Sequence, residues 1–527
     1  MIKFDRVGFA YSDGKKIFDS LSFEIKPGEQ VAVVGGNGSG KTTLMLLIDG
    51  ILTAESGKIE IDGLNPACEK DRGELRRKVG FVFQDPDNQL VSTTVEREIA
   101  FSLENMNVRH PELADRVQRL IDGFGMRAMM TRLTSELSGG EKQKLALAAV
   151  MVTRPSVLIL DEPGSFLDES GKRLLSRTVK DLVAQNPRLI VLRVTQYARV
   201  AMEYERIIVL HNGAIVADGS ASEVYGELER CHRWSIDVPL QYRLSSMADF
   251  AGNNRAVEPE RFITGSDVSG SSIRLQDVSF GYDPNNAILG QVNAVFESGR
   301  VYAVVGPSGS GKSTLLQILA GLLKPTGGDI VYDGFEPWPG NIALSFQQAE
   351  KQFFLETVDK ELRFGAENLA IGYIDDIIEQ CYQAIDFERV QFADRDPFTL
   401  SGGEQRRLAF GTILAVDPKF ILFDEPTCAL DARGTDLFMG LVQRLRADGK
   451  AVVLVSHDGN LVLELAEEIY VIDYGTLSDP YDKETFFRSV DYSAYLSMPG
   501  AIKYQLDKMG RIEYLSEREL LKARRAL

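Results

Sequence analysis

The chain has 527 residues, of which 44% are hydrophobic and 26% charged, and its formal net charge is −17 at pH 7. This length and composition predict a globular protein of two or three domains with substantial cores. The acidic balance argues against a protein that binds nucleic acid or anionic lipid over a broad surface, because such binding needs clustered lysine and arginine.

The cysteines and the apolar segments narrow the class of protein further. The four cysteines are scattered and form no C-x-x-C pair, so the sequence predicts neither a disulfide framework nor a zinc or iron–sulfur site. No apolar run approaches about 18 residues, and the N-terminus lacks the apolar core of a signal peptide. Any link to a membrane is therefore expected to be peripheral.

The first strong motif is a glycine-rich loop at residues 35–43, GGNGSGKTT. It fits the phosphate-loop spacing G-x-x-x-x-G-K-[ST] and lies between a strand-like run, residues 30–34, and a helix predicted over residues 43–52. Its glycines let several backbone N–H groups turn towards one anion. We expect Lys41 to reach the β- and γ-phosphates of a nucleotide and the Thr42 hydroxyl to bind Mg²⁺. The nucleotide-contacting residues predicted in this loop are Gly35, Asn37, Gly38, Gly40, Lys41, Thr42 and Thr43.

Two residues outside the loop are candidates for the same site. Tyr11 precedes the phosphate loop and could stack on a purine ring, with core packing as an equal alternative. Gln84 ends a predicted strand, and its neutral carbonyl could bind Mg²⁺ or hold the attacking water. Neither residue is informative alone.

The motif LSGGEKQ, residues 137–143, opens a predicted helix with a serine and two glycines. The serine and the free N–H groups at a helix start can bind a second anion. Because one loop already holds the triphosphate, a second binder of the γ-phosphate is useful only across an interface. The predicted contacts are Ser138, Gly139 and Gly140.

The run VLILDE, residues 157–162, is an apolar strand that ends in two acids. Ligands of open α/β sheets bind at the carboxyl ends of the strands. Asp161 is therefore expected to hold Mg²⁺ through water, and Glu162 to accept a proton from the attacking water or to polarise it.

The chain repeats these motifs in the same order. The lysines of the two phosphate loops are 271 residues apart, as are the two tyrosines, and the three later motifs are 263 residues apart. Collinear repetition through five landmarks predicts two homologous halves. The counterparts in the second half are Tyr282, Gly306, Ser308, Gly309, Gly311, Lys312, Ser313, Thr314, Gln347, Ser401, Gly402, Gly403, Asp424 and Glu425.

The phosphate loop, the glutamine, the LSGG motif, the paired acids and the following residues 165–168 together resemble ATP-binding cassette (ABC) ATPases, over about 430 residues of the chain. The resemblance implies an α/β fold of two P-loop nucleotide-binding domains in tandem. Each would have a mainly parallel core sheet, an antiparallel β subdomain and a helical subdomain. The predicted bounds are 1–232 and 272–480 for the domains, 233–271 for a linker and 481–527 for a C-terminal extension.

Three longer strings are similar to the ATPases of energy-coupling factor (ECF) importers. They are DPDNQL at residues 85–90, TTVEREIAFSLENM at 93–106 and AEKQFFLETVDKELRFGAENL at 349–369. The resemblance implies an ATPase that uses ATP and Mg²⁺ to power uptake of a vitamin or metal ion. Its expected partners are a transmembrane coupling protein and a substrate-binding membrane subunit, with no nucleic acid, and its expected place is the cytoplasmic face of the membrane.

Two other functions compete with this one. A tandem ATPase of a sugar importer shares the length and the duplication, but the PDNQ-type loop and the intact second site argue against it. A ribosome-associated ATPase would predict a long charged linker, basic patches or a cysteine-rich cluster, and the sequence has none of these.

In ABC ATPases two domains meet head to tail, so the resemblance implies an intramolecular pseudo-dimer. Each ATP would lie between one phosphate loop and the LSGG segment of the other domain. Site one combines Lys41, Asp161, Glu162 and Gln196 with Ser401, Gly402 and Gly403. Site two combines Lys312, Asp424, Glu425 and His457 with Ser138, Gly139 and Gly140. The expected Mg²⁺ ligands are Thr42, Gln84, Asp161, Ser313, Gln347 and Asp424, and the expected catalytic residues are Glu162, Glu425, His457, Gln196, Gln84 and Gln347.

The two sites differ at the position where the family has histidine. The second copy has His457 in LVSHD, whereas the first has Gln196 in RVTQY. An imidazole can donate an N–H to the γ-phosphate and position the glutamate and water, whereas glutamine carries no titratable charge. We predict that site two performs most of the hydrolysis. The alternative is that glutamine substitutes adequately because Glu162 is intact.

Overall fold

The computed structural model describes residues 1–246 and 270–509, except 13, 15, 85, 138, 165, 166, 168, 284, 285, 338 and 339, together with residues 512 and 520. The chain divides into two compact units, Met1–Met247 and Ala248–Leu527. The predicted linker lies largely outside the described residues.

The first unit contains two sheets and a set of helices. Its strands are β1 (Ile2–Ala10), β2 (Lys16–Ile25), β3 (Gln30–Val34), β4 (Ser56–Ile61), β5 (Val79–Val82), β6 (Val157–Asp161), β7 (Ile190–Val194), β8 (Arg206–His211) and β9 (Ala214–Gly219). Its helices are α1 (Lys41–Asp49), α2 (Glu69–Lys78), α3 (Val95–Asn105), α4 (Glu112–Gly123), α5 (Gly139–Met151), α6 (Glu169–Gln185), α7 (Ala198–Ala201), α8 (Ala221–Tyr225), α9 (Leu228–Arg233) and α10 (Leu240–Ser246).

The second unit repeats most of this order, except that the described residues between β13 and β14 form no helix like α2 and that α14 and β19 are additional. Its strands are β10 (Ser272–Asp283), β11 (Asn286–Glu297), β12 (Val301–Val305), β13 (Gly327–Asp333), β14 (Ile342–Ser345), β15 (Phe420–Asp424), β16 (Ala451–Val455), β17 (Glu468–Asp473), β18 (Thr476–Leu477) and β19 (Tyr481–Asp482). Its helices are α11 (Lys312–Leu319), α12 (Val358–Asn368), α13 (Ile374–Ala384), α14 (Arg389–Phe392), α15 (Gly402–Leu414), α16 (Ala432–Ala447), α17 (Gly459–Leu465), α18 (Lys483–Ser489) and α19 (Gly500–Met509).

The core sheet of each unit is mainly parallel. Its strand order is β5-β6-β7-β3-β8-β9 in the first unit and β14-β15-β16-β12-β17-β18 in the second, with antiparallel pairing only at the β9 and β18 edge and where β19 joins β17. A separate antiparallel sheet has the order β2-β1-β4 or β11-β10-β13. The predicted α/β fold with a parallel core sheet and an antiparallel β subdomain is confirmed.

The hydrophobic pattern explains how the core sheet is covered on both faces. Every residue of β6, VLILD, is buried, as expected for a parallel strand with helices on both sides. Its side chains alternate, so Ile159 packs with Leu44 of α1 on one face and Leu158 packs with Leu175 of α6 on the other. The helical part of the unit has its own core, formed by α3, α4 and α5.

The two units also match beyond residue 480, where the sequence analysis ended the repeat. The helices α8, α9 and α10 follow the first core sheet, and α18, a short 3₁₀ helix at Tyr492–Ala494 and α19 follow the second. These segments are packed, because Trp234 and Ile236 lie in the core of the first unit and Phe486 and Leu496 in that of the second. No helix in the described part of the chain is both long and apolar enough to cross a bilayer.

Candidate nucleotide sites

The phosphate loops join the central strand of each core sheet to the first helix, β3 to α1 and β12 to α11. Gly40 and Gly311 stand immediately before these helices with φ of 103° and 105°, a left-handed conformation that glycine adopts readily. The loop N–H groups and the helix N-terminus together form an environment suited to phosphate.

The loop lysines are buried at both sites and make matching contacts. Lys41 Nζ donates to the carbonyls of Gly35 and Gly36, both at 2.9 Å. Lys312 Nζ donates to the corresponding carbonyls, at 2.9 and 2.6 Å. Each ammonium group is therefore held by two backbone carbonyls of its own loop.

The paired acids follow the strands predicted for them, with each aspartate ending its strand. Burial and the neighbouring Glu162 raise the pKa of Asp161 to about 6, although its hydrogen bond with the Thr42 hydroxyl acts in the opposite direction. Burial likewise raises the pKa of Asp424 to about 6 against its hydrogen bond with Ser313. A carboxylate next to a hydroxyl is an oxygen donor set that suits Mg²⁺, and a cation there would stabilise the charged carboxylate.

The two glutamates adopt an uncommon backbone conformation. Glu162 and Glu425 have φ of 44° and 47°, which is rare for a residue other than glycine. The Glu162 N–H donates to the Val194 carbonyl of the neighbouring strand at 3.2 Å, and the Glu425 N–H donates to the Val455 carbonyl at 3.0 Å. Such a strained position is often found at functional sites, and its repetition in both units supports the role predicted for these residues.

The family model described as ABC transporter matches residues 18–165 and 289–428, which include both phosphate loops and both pairs of acids. The chain belongs to the ABC transporter family. Its two ATP-binding domains are therefore ATPases, as predicted.

Similar proteins span nearly the whole of this ABC ATPase. YkoD of Bacillus subtilis, named for HMP/thiamine import, is 32% identical over 515 residues, 92% of each chain. TTE1589 of Caldanaerobacter subterraneus, named as an ABC transporter ATP-binding protein, is 29% identical over 526 residues, 90% of this chain and 91% of its own. A solved structure, cbiO1 from Clostridium perfringens, described as part of the ABC transporter complex cbiONQ, is 33% identical, covers 44% of this chain and 93% of its own, and has a TM-score of 0.39.

We call Gln196 and His457 the switch residues, residues 195–197 and 456–458 the switch loops, and the helices that follow them, α7 and α17, the switch helices. The two switch residues make different contacts in the two domains of the ABC ATPase. His457 Nε2 lies 3.4 Å from Glu425 Oε1, and its backbone N–H donates to Glu425 Oε2 at 3.3 Å. Gln196 Nε2 donates to Asn37 Oδ1 of the phosphate loop at 3.0 Å. The second domain thus has a histidine at this position that contacts its glutamate directly, whereas the described contact of Gln196 in the first domain is to the phosphate loop.

The predicted tyrosines are exposed, and Tyr11 contacts its phosphate loop. Tyr11 and Tyr282 are 37% and 62% exposed, and each packs edge-on against a phenylalanine two residues earlier, at 5.0 Å between centroids. The Tyr11 hydroxyl lies 2.9 Å from Thr43 Oγ1. Their exposure argues against core packing and leaves the predicted stacking on a purine ring open.

The LSGG motifs open helices as predicted. Gly139 and Gly140 begin α5, and Gly402 and Gly403 begin α15. Ser401 caps α15 with Glu404: its hydroxyl accepts from the Glu404 N–H at 3.4 Å, and its own N–H donates to that carboxylate at 2.8 Å. Ser138, like Ser165 and Asp168, lies outside the described residues.

Arg406 is a buried residue that the sequence analysis missed. Its guanidinium donates to the backbone carbonyls of Phe346 at 2.5 Å, Gln347 at 2.6 Å and Glu425 at 3.0 Å. It therefore ties the predicted Mg²⁺ ligand Gln347 to the glutamate. The sequence feature that could have indicated this residue is its position three residues after the LSGG glycines, where the first copy has Gln143.

Gln143 replaces this arginine in the first domain with fewer contacts. Its Nε2 donates to the Phe83 carbonyl at 3.3 Å, and its Oε1 is buried without a hydrogen bond. An amide is shorter than a guanidinium and has fewer donors, so it cannot reproduce all three bonds.

The loops after Gln84 and Gln347 are held by glutamines of their own. Gln89, the glutamine of the PDNQ string, accepts from the Phe83 N–H and donates to the Phe81 carbonyl, both at 3.0 Å. Gln352 accepts from the Phe346 N–H at 3.2 Å. Both predicted glutamine ligands are themselves half-buried at the start of these loops.

Proposed function

We propose that this ABC ATPase is the motor subunit of an ECF-type importer that takes up a vitamin or metal ion. Two observations support this function: the PDNQ and AEKQF loops, and similarity over nearly the full length to a relative named for HMP/thiamine import. The membrane subunits would be separate polypeptides, and the ATPase would bind them at the cytoplasmic face.

Hydrolysis would take place at two composite sites between head-to-tail domains. Lys41 and Lys312 would bind the β- and γ-phosphates, and the serine–glycine segment of the other domain would complete each site. Mg²⁺, when bound, would neutralise charge on the transferring phosphoryl group. Glu162 and Glu425 would each orient a water in line with the γ-phosphate and accept its proton. ATP would thus hold the domains together, and phosphate release would let them part.

The second site would perform most of the hydrolysis. The observation that carries this assignment is that His457 contacts Glu425, whereas Gln196 bonds to the phosphate loop of its own domain. Arg406 supports it, because this residue fixes the backbone of both Glu425 and Gln347. Site one would hold ATP longer and act mainly in keeping the domains together.

The loop after Gln347 has the features of a docking surface for a membrane subunit. Phe354 and Phe364 are 61% and 42% exposed and form an edge-to-face pair with centroids 4.7 Å apart. The buried Glu361 carboxylate accepts from the N–H groups of Phe354 and Leu355, so the loop is held in one conformation. An exposed aromatic pair formed between this fixed loop and helix α12 is suited to bind an apolar partner surface.

Purification from membranes in mild detergent tests the proposed function. We expect a transmembrane coupling protein and a small substrate-binding membrane protein to copurify with the wild-type chain and to be identified by mass spectrometry. Replacement of both Phe354 and Phe364 by serine should release them, whereas Tyr474→Ser, an exposed aromatic elsewhere in the same domain, should not. Copurification of ribosomes, or of the permease pair of a sugar importer, would contradict the proposal.

A further inference from the structure

A segment that follows the second core sheet is bonded to the loop that carries His457. We name residues Tyr492–Gly500 the strap. The Ser497 N–H donates to the His457 carbonyl at 2.9 Å, and the Gly459 N–H donates to Ser497 Oγ at 2.9 Å. The Gly500 N–H donates to the Asn460 side-chain carbonyl at 2.8 Å. These bonds connect the strap to the backbone of His457 and to the start of α17, which follows it.

The strap is fixed by packing as well as by hydrogen bonds. Tyr492 and Leu496 are 6% and 1% exposed and lie in the same core cluster as Leu461 and Leu463 of α17. Gly459 passes so close to the strap that an added Cβ would lie 1.9 Å from the Ser497 carbonyl oxygen. The position of the strap backbone relative to the switch loop is therefore well determined.

The strap also contacts the imidazole ring itself. His457 Nδ1 lies 3.0 Å from the backbone carbonyl oxygen of Tyr495. A carbonyl oxygen can only accept a hydrogen bond, so Nδ1 must carry the proton. In the neutral ring Nε2 then has a lone pair, and this atom lies 3.4 Å from Glu425 Oε1, which is buried without a hydrogen bond. Two acceptors therefore face each other at this distance.

The first domain has a comparable segment, but among its described residues no bond from this segment to the Gln196 side chain is seen. Asp237 Oδ2 accepts from the Ala198 N–H at 3.1 Å, as Ser497 accepts from Gly459. The side chain of Gln196 bonds to Asn37 of the phosphate loop. Support of the switch helix is therefore common to both domains, whereas a bond from the following segment to the switch side chain is seen at His457.

We propose that the strap positions His457 for hydrolysis at site two by holding the proton on Nδ1 and aiming Nε2 at Glu425. This inference rests on the proposed function, because it takes His457 to act in hydrolysis. A neutral ring held in this way offers Nε2 as an acceptor, and it can donate to the γ-phosphate only after gaining a second proton.

Nitrogen NMR of the full-length chain measures the ring directly. The protein has four histidines, and the His457 signals are assigned by their loss in His457→Gln. With ¹⁵N-labelled imidazoles, we expect long-range ¹H–¹⁵N spectra to show a single Nδ1–H tautomer for His457. An Nε2–H tautomer, or shifts averaged between the two forms, would overturn the proposal.

The kinetic test loosens the strap without touching the ring. We expect Asn460→Ala combined with Ser497→Ala to lower kcat about tenfold, with KM for ATP unchanged within about twofold, because misplacement of a reacting group acts mainly on the chemical step. The His457 signals should then average between tautomers. In this double variant, threonine instead of alanine at position 497 keeps the hydroxyl and should restore both kcat and the single tautomer. The control Ser478→Ala, which also removes a bond to one backbone N–H, should change neither.

The NMR and kinetic measurements together distinguish failure of the strap proposal from failure of the proposed function. A double variant that loses kcat but keeps a fixed Nδ1–H ring, or that averages its tautomers at full kcat, would contradict positioning by the strap. If the wild-type ring shows the Nδ1–H form and His457→Gln retains full turnover, the assignment of hydrolysis to site two fails instead.

Discussion

The two ABC domains hold their phosphate-loop lysines in the same way but surround their glutamates differently. Each lysine is buried against two loop carbonyls, and burial raises the pKa of each strand-ending aspartate to about 6. In the second domain His457 and Arg406 both contact Glu425. The first domain has Gln196 and Gln143 at these positions. The comparison favours equal nucleotide binding by the two domains and unequal hydrolysis.

Replacement of each glutamate in turn should show the largest difference between the two sites. We expect Glu425→Gln to lower steady-state ATP turnover by about a hundredfold, because it removes the proposed base of the more active site. Glu162→Gln should lower turnover by no more than about threefold. Turnover of the purified full-length chain checks both variants, with binding of labelled ATP as the control for folding. Similar losses from the two variants would remove the asymmetry.

Arg406 provides the next largest expected difference. Arg406→Gln, which gives the second domain the residue of the first, should lower turnover about tenfold, because three buried carbonyls lose a charged donor and the glutamate loses its backbone support. The matched control is Arg407→Gln, since Arg407 donates to the carbonyls of Ile385 and Asp386. The control should lower thermal stability while leaving kcat within about twofold. Equal kcat losses would show that the effect is general.

The sequence predicted where the loop lysines and the strand-ending acids lie better than it predicted the contacts around Glu425 and His457. Lys41 and Asp161 stand in motifs whose spacing reflects the strand and helix that carry them, so their places followed from the pattern. The bond to Tyr495 could not be predicted, because it uses a backbone carbonyl 38 residues beyond the histidine and any residue would supply one. The role of Arg406 depends on where two loop carbonyls meet, which only the folded chain specifies.

Introducing a histidine at position 196 of the first domain should have a smaller effect. We expect Gln196→His alone to raise turnover less than about twofold in a Glu425→Gln background, where site one is the remaining base-competent site. The new ring would lack an arginine that supports Glu162, since Gln143 stands in that place. Addition of Gln143→Arg should raise turnover further. A full recovery by Gln196→His alone would show that the switch residue by itself accounts for the asymmetry.

A difference outside the sites concerns stability. Asp49 ends α1, and burial raises its pKa to about 6 against the opposing effect of Arg76. The second domain has Ala320 at the same point of α11. The unfolded chain loses this proton near pH 4, whereas the folded domain keeps it to about pH 6. Between these values the folded state binds more protons, so the free energy of unfolding falls as the pH rises.

Asp49→Ala should therefore make the first domain resemble the second in its response to pH. We expect the variant to be more stable than the wild type by about 1–3 kcal/mol near pH 7.5, and by a smaller amount near pH 4.5, because the penalty for burying the charged carboxylate builds up between the unfolded and the folded pKa and is complete only above the folded pKa. Denaturant unfolding of the full-length chain at both pH values measures the difference. Asp181→Ala, which removes an exposed acid on α6, should show no such pH dependence. A stability gain for Asp49→Ala that is the same at both pH values would mean that the charge of Asp49 is not its source.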